Sequence, residues 1–124
     1  MDQVLAAYFA AWNEPDAEER SRLLELAVRD DAELIDPTGR RQGIDGLSER
    51  IARYHAAAPG TGVVPASGLD AHNGVTRYAW RIVDADDGDV IEDLDVAERT
   101  DDGRLQRIFM FHGPLPDSDS FAGA

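Results

Sequence analysis

Leu34-Ile35-Asp36-Pro37-Thr38-Gly39 carries an apolar run onto a carboxylate and straight into a tight turn. How this stretch is read decides how the rest of the chain is understood. An acid at the end of a strand stands where a sheet meets the mouth of whatever lies above it, a position from which a carboxylate can act as a base on a bound substrate. The same residues also spell a type I turn, with Asp first, Pro second and Gly fourth, and the Asp side chain bonding backbone two residues on. Both readings of Asp36 stand at this level.

Upstream of this stretch, Ala32 to Asp36 is predicted as a short strand, and Asp30-Asp31 as the break before it. A helix precedes the break, with Pro15, Asp16, Glu18 and Glu19 in its first turn and Leu23, Leu24 and Leu26 along it to about Val28. Before that, Val4, Leu5, Tyr8, Phe9 and Trp12 repeat at the spacing of an amphipathic helix, which puts Tyr8 and Trp12 on one face. Downstream, Arg40-Arg41-Gln42-Gly43 reads as a loop whose arginine pair either attracts an anion at the mouth or is simply solvated.

Beyond this loop, Ile44, Leu47, Ile51 and Tyr54 stripe a third helix, which Ala58-Pro59-Gly60 stops. The remainder changes character, with strand-like segments separated by Asp- and Gly-rich turns. Val63 to Ala71 is a weak strand interrupted by Gly and Pro, and His72-Asn73-Gly74 signals a hairpin. Val75 to Val83 alternates, with Tyr78, Trp80 and Ile82 on one face and Arg77 and Arg81 on the other. Asp84 to Asp89 is a polar turn, and the last two strands are Val90 to Arg99 and Leu105 to His112. Three helices followed by hairpin-linked strands make an α+β domain, with helices over a curved, mostly antiparallel sheet that leaves a conical pocket.

A length of 124 residues suits one domain, read here as residues 1–113, with a weakly ordered C-terminal tail at 114–124. Twenty-five acidic against twelve basic residues give a net charge of −13, which argues against nucleic acid and anionic membranes as partners and leaves small hydrophobic ligands or other proteins. Without cysteine there is no disulfide framework and no thiolate metal site. The N-terminus lacks a basic region followed by an apolar run, and no segment approaches the ~20 apolar residues of a membrane span, so a soluble, cytoplasmic protein is expected.

Tyr8-Phe9-Ala10-Ala11-Trp12-Asn13, Asp30 to Gly39, and Leu94-Asp95-Val96 followed by Asp102-Gly103-Arg104 together resemble the nuclear transport factor 2-like (NTF2-like, SnoaL-like) superfamily, and within it most resemble the ketosteroid isomerases. The resemblance runs from about Val4 to Gly113. It implies a cone-shaped, cystatin-like α+β barrel, a homodimer through the outer sheet face and no cofactor. It also implies proton abstraction next to a carbonyl in a hydrophobic polycyclic substrate, that is, a steroid delta-isomerase-like isomerase. The general base then falls on Asp36, the oxyanion-stabilising phenol on Tyr8, and its protonated carboxylic partner on Asp95. Neutral buried carboxylic acids of this kind are a known device of that family.

At the places of the family's supporting tyrosines this chain has Val28 and Ile51. Trp12, Trp80, Met110 and His112 are the candidates for lining the substrate pocket, with core packing as the ordinary alternative for the aromatics and Met. Strand parity sets Asp93 on the same face as Asp95, so either a bulge intervenes or Asp93 lies at the rim of the pocket. His55 and His72 have no acids at ligand spacing, so no metal is expected. A SnoaL-type polyketide cyclase and a non-catalytic ligand-binding or dimerisation module are the alternatives within the same superfamily.

Overall fold

Helix α1 (Gln3–Trp12) starts where Asp2 caps it, accepting from Val4 N at 3.0 Å and Leu5 N at 3.2 Å. The same carboxylate takes two bonds from the Arg99 guanidinium, at 2.9 and 3.0 Å, and so ties the start of the helix to the far end of the sheet. Its other end is tied by Asn13, which behaves as a peptide unit. Asn13 Oδ1 accepts from Val63 N at 2.7 Å, and Nδ2 donates to Val63 O at 2.9 Å. The computed structural model describes residues 2–86 and 88–123. Met1, Asp87 of the polar turn and Ala124 of the tail lie outside the described residues.

Helix α2 (Ala17–Ala27) is capped by Asp16, which accepts from Glu19 N, and it docks through Arg20. This arginine is only 4% exposed; its Nε donates to Ser48 Oγ at 2.9 Å and its Nη1 to Glu14 O at 2.8 Å. A buried guanidinium needs such partners. Helix α3 (Gly43–Ala57) buries Leu47, Ser48, Ile51 and Tyr54, much as its stripe predicts.

Strand β1 (Val28–Asp36) begins four residues earlier than the sequence suggests, directly from the end of α2. Asp30-Asp31 does not break it. The pair stays on the solvent side while Val28, Ala32 and Leu34 turn inward, and the irregularity is absorbed as a register shift between Val28 and Glu33. Arg40-Arg41-Gln42 is likewise strand and not loop, since β2 (Gly39–Gln42) folds back on β1 through the Pro37-Thr38 turn, with Asp36 opposite Gly39. Gly39 has φ +133°, which favours glycine at that corner.

The weak segment around Pro65 splits into β3 (Gly62–Pro65) and β4 (Asp70–His72), both paired antiparallel to β5 (Val75–Val83). Asn73 and Gly74, with φ of 49° and 78°, make the hairpin turn. Strands β6 (Asp89–Arg99) and β7 (Leu105–His112) complete an open sheet of order β2-β1-β7-β6-β5-β3, in which only the β1–β7 pairing is parallel. The three helices pack on one face of this curved sheet, the α+β cone expected, left unclosed between its edge strands. The tail carries a short 3-10 helix, Ser118–Gly123, with Leu115 and Phe121 exposed.

Candidate functional site

Besides Thr76, Asp36 and its apolar side chains, the inner face of the sheet carries one row of polar groups. In the β5–β6–β7 register Tyr78 stands opposite Asp95 and Asp95 opposite Met110, while Trp80 stands opposite Asp93 and Asp93 opposite His112. No irregularity interrupts β6 between Ile91 and Glu98, so Asp93 and Asp95 both point inward, at 1% and 0% exposure. Two carboxyls side by side in a core demand either neutralisation or partners.

Asp95 receives one such bond, from Trp80 Nε1 to Oδ1 at 2.9 Å, and its Oδ2 has none. Burial raises its pKa to about 7, with the Asp93 charge adding to the rise and the Trp80 bond opposing it. Asp93 is also raised by burial, although His112 pulls it back through a 2.7 Å contact between Nδ1 and Asp93 Oδ2. Asp93 Oδ1 is buried without a partner. Over the same row lies α1, whose Tyr8 Oη is buried and unpartnered, as is Tyr78 Oη. Desolvation, and after it the Asp95 charge, holds both phenols well above their ordinary pKa. Four polar atoms from three elements thus share one buried region without a well-formed hydrogen bond to protein, although Tyr78 and Asp95 lie close enough for each to shift the other's titration.

Asp36 stands apart from these orphans in its bonding. Thr38 N and Oγ1 donate to its Oδ1 at 2.9 and 2.6 Å, which realises the turn reading of the stretch. Arg41 Nη1 reaches the same oxygen at 3.3 Å, and Arg50 Nε reaches Oδ2 at 2.7 Å. Burial pushes this carboxyl up, but the Thr38 and Arg50 bonds outweigh it and hold the pKa below the usual value. That is the direction opposite to the one that makes a carboxylate a competent base near neutral pH.

Of the residues singled out from the sequence, Tyr8, Asp95, Trp80, Met110 and His112 meet at the inner row, and Trp12 covers it. Trp12 packs 6.1 Å from Trp80 and edge-on to Tyr8, and both indoles are buried. Tyr78, Asp93 and Arg50 were not singled out as site residues. Tyr78 supplies a phenol where Val28 and Ile51 supply none, and a signal for it existed: a hairpin register that sets Tyr78 across from Asp95. Arg50 stacks 5.5 Å from the Trp12 ring centre, and its charge is felt at Tyr8 and Asp93. An apolar cleft of about 210 Å3 beside Leu5, Phe9, Pro65 and Leu69 touches this group only at Tyr78. Among the described residues no cluster of three His, Cys, Asp or Glu could hold a metal, and no helix is long and apolar enough to cross a membrane.

No protein-family model and no curated protein matches the chain. Solved structures do. A candidate isomerase of the SnoaL-like family from Agrobacterium tumefaciens str. C58 superposes with a TM-score of 0.83 at 31% identity, covering 92% of this chain and all (100%) of its own. A candidate polyketide cyclase from Sinorhizobium meliloti follows at 0.69 and 17%, covering 90% of this chain and 95% of its own. A protein of ketosteroid isomerase-like fold from Catenulispora acidiphila, solved with trimethylamine, gives 0.70 and 11%, covering 91% and 87%. The last two share the fold alone, whereas the first also shares sequence over 92% of this chain. With the NTF2-like cone and this identity together, the chain belongs to the SnoaL-like family.

Proposed function

We propose that this protein is a small-molecule isomerase or cyclase that moves a proton next to a carbonyl in a hydrophobic substrate. The observation that carries the reading is the set of buried, unpartnered atoms Tyr8 Oη, Tyr78 Oη, Asp95 Oδ2 and Asp93 Oδ1. Leaving each unsatisfied costs about 1–3 kcal/mol, a burden a fold keeps where a ligand oxygen uses the group. The SnoaL-like relative is itself described as a candidate isomerase. Two phenols and the neutral form of Asp95 are donors suited to an enolate oxygen, and one well-placed donor is worth roughly 3 kcal/mol of barrier.

The base in this reading is His112, held by Asp93 through Nδ1 with Nε2 left to take the proton from carbon. Asp36, the base suggested by family resemblance, is already shared by two guanidiniums and serves to fix Arg50. As His112 takes the proton, the C–H electron pair becomes a C=C bond and the carbonyl π pair moves onto oxygen, where the phenols and neutral Asp95 donate to it; in the isomerase case His112 returns the proton at a second carbon. His112→Gln is expected to lower turnover by about 10² to 10⁴. A fluorescent naphthol that mimics a dienolate tests the donor set: it should bind the wild type and be lost in both Tyr8→Phe and Asp95→Asn. Equal binding in all three proteins, or none in any, ends the proposal.

A second reading, a ligand-binding or dimerisation module without chemistry, is favoured by one observation. The Trp12 and Trp80 rings, 6.1 Å apart and both buried, occupy the inside of the cone over the polar row. Under either reading the protein is a homodimer that pairs through the outer sheet face and acts on, or holds, a small hydrophobic molecule.

A further inference from the structure

A second cleft, of about 280 Å3, lies between the β1–β2 turn and α3, and it is lined by Thr38, Arg41, Arg50, Arg53, Tyr54 and Ala57. Three guanidiniums and no carboxylate form its wall, in a chain with 25 acids and 12 basic residues. Among the described residues the one acid that they bind is Asp36, whose side chain is fully covered, so the wall keeps an excess of positive charge. Holding Asp36 requires one guanidinium, and Arg50 does so at 2.7 Å. Arg41 and Arg53 exceed that requirement.

Two of the three guanidiniums, Arg41 and Arg50, are also set in advance. Arg41 is fixed by Thr38 Oγ1 at 2.7 Å as well as by Asp36, and Arg50 by Asp36 and the Trp12 face. Arg50, Arg53, Tyr54 and Ala57 fall on one stripe of α3, where the small Ala57 leaves room and Tyr54 is anchored by its 2.7 Å bond to Thr61. Guanidiniums fixed before binding lose little freedom on meeting a planar oxyanion.

We propose that this cleft binds a small organic molecule through an oxyanion group, a carboxylate or a phosphate. The site uses residues other than the proton-transfer row, and Arg53 takes part in neither the Asp36 cluster nor that row. Trp12, under Arg50, makes tryptophan fluorescence a direct reporter. The full-length protein is titrated at low salt with benzoate and, separately, with inorganic phosphate, using sodium chloride of matched ionic strength as the control.

A saturable one-site change with either anion is expected, weakened by about tenfold in Arg53→Gln and partly restored in Arg53→Lys. Response to benzoate alone names a carboxylate ligand, and response to phosphate alone a phosphate. No saturable response to either anion, or an equal response in Arg53→Gln, overturns the proposal. Arg53→Gln should leave naphthol binding and thermal stability unchanged, so failure here and failure of the proton-transfer reading are told apart.

Discussion

Asp95 is the residue at which the physics of this interior is most exposed to test. Its carboxyl titrates near 4 in the unfolded chain and about 7 in the fold. The folded state therefore holds an extra proton between those values. Stability linked to this group is complete below about pH 4 and is lost as pH rises through 7. The shift corresponds to about 4 kcal/mol as an upper figure. Asp95→Asn removes the titration while keeping an acceptor for Trp80 Nε1. Compared with the wild type, the mutant should gain stability steadily from pH 4 to 7 and level off above, as read from chemical denaturation at several pH values. A constant difference across that range would mean that Asp95 is not the buried acid described. Asp36 carries the opposite sign, since its lowered pKa makes its contribution present above pH 4 and lost on acidification.

Elements are joined here by side chains that imitate backbone. Asn13 closes the C-terminal end of α1 onto β3 by satisfying both peptide groups of Val63. Asn13→Ala leaves that N–H and C=O unpaired beside the cone and should destabilise by about 2 kcal/mol. Amide exchange at Val63 should accelerate by more than the global loss of stability explains; unchanged local protection would show that the tie carries no weight. Arg20 and Arg99 join elements by another route, donating to side chains: Ser48 Oγ for α2–α3 and the Asp2 carboxylate at the start of α1 for α1–β6. The periodicity of α1, α3, β5 and β7 is plain from the sequence, because apolar spacing is a local property. The start of β1 is not, since Asp30-Asp31 looks like a break until β7 lies alongside and lets the pair bulge outward.

At the scale of the whole molecule, the outer sheet face contrasts with the acidic surface. Ala79, Leu94, Phe111 and Leu115, together with the acids Glu92 and Asp93, line a largely apolar hollow of about 530 Å3 there, with Phe111 60% and Leu115 87% exposed. An exposed apolar face of this kind on a chain of charge −13 suits the pairing of two copies proposed above. Light scattering coupled to size exclusion should give a dimer for the wild type and a monomer of unchanged circular dichroism for Phe111→Glu. A monomeric wild type would remove the dimer proposal.

The superfamily, the α+β cone, the turn at Pro37 and the shared parity of Asp93 and Asp95 are consequences of local pattern and follow from the sequence itself, whereas their placement inside the core comes from the assembled sheet. What the tertiary structure alone decided is who meets whom: Arg50 reaches Asp36 across 14 positions, Tyr78 faces Asp95, His112 meets Asp93, and Trp12 closes over Trp80. Periods, caps and turns depend on neighbours along the chain. Ion pairing and burial depend on strand register and helix docking, which only the assembled core sets.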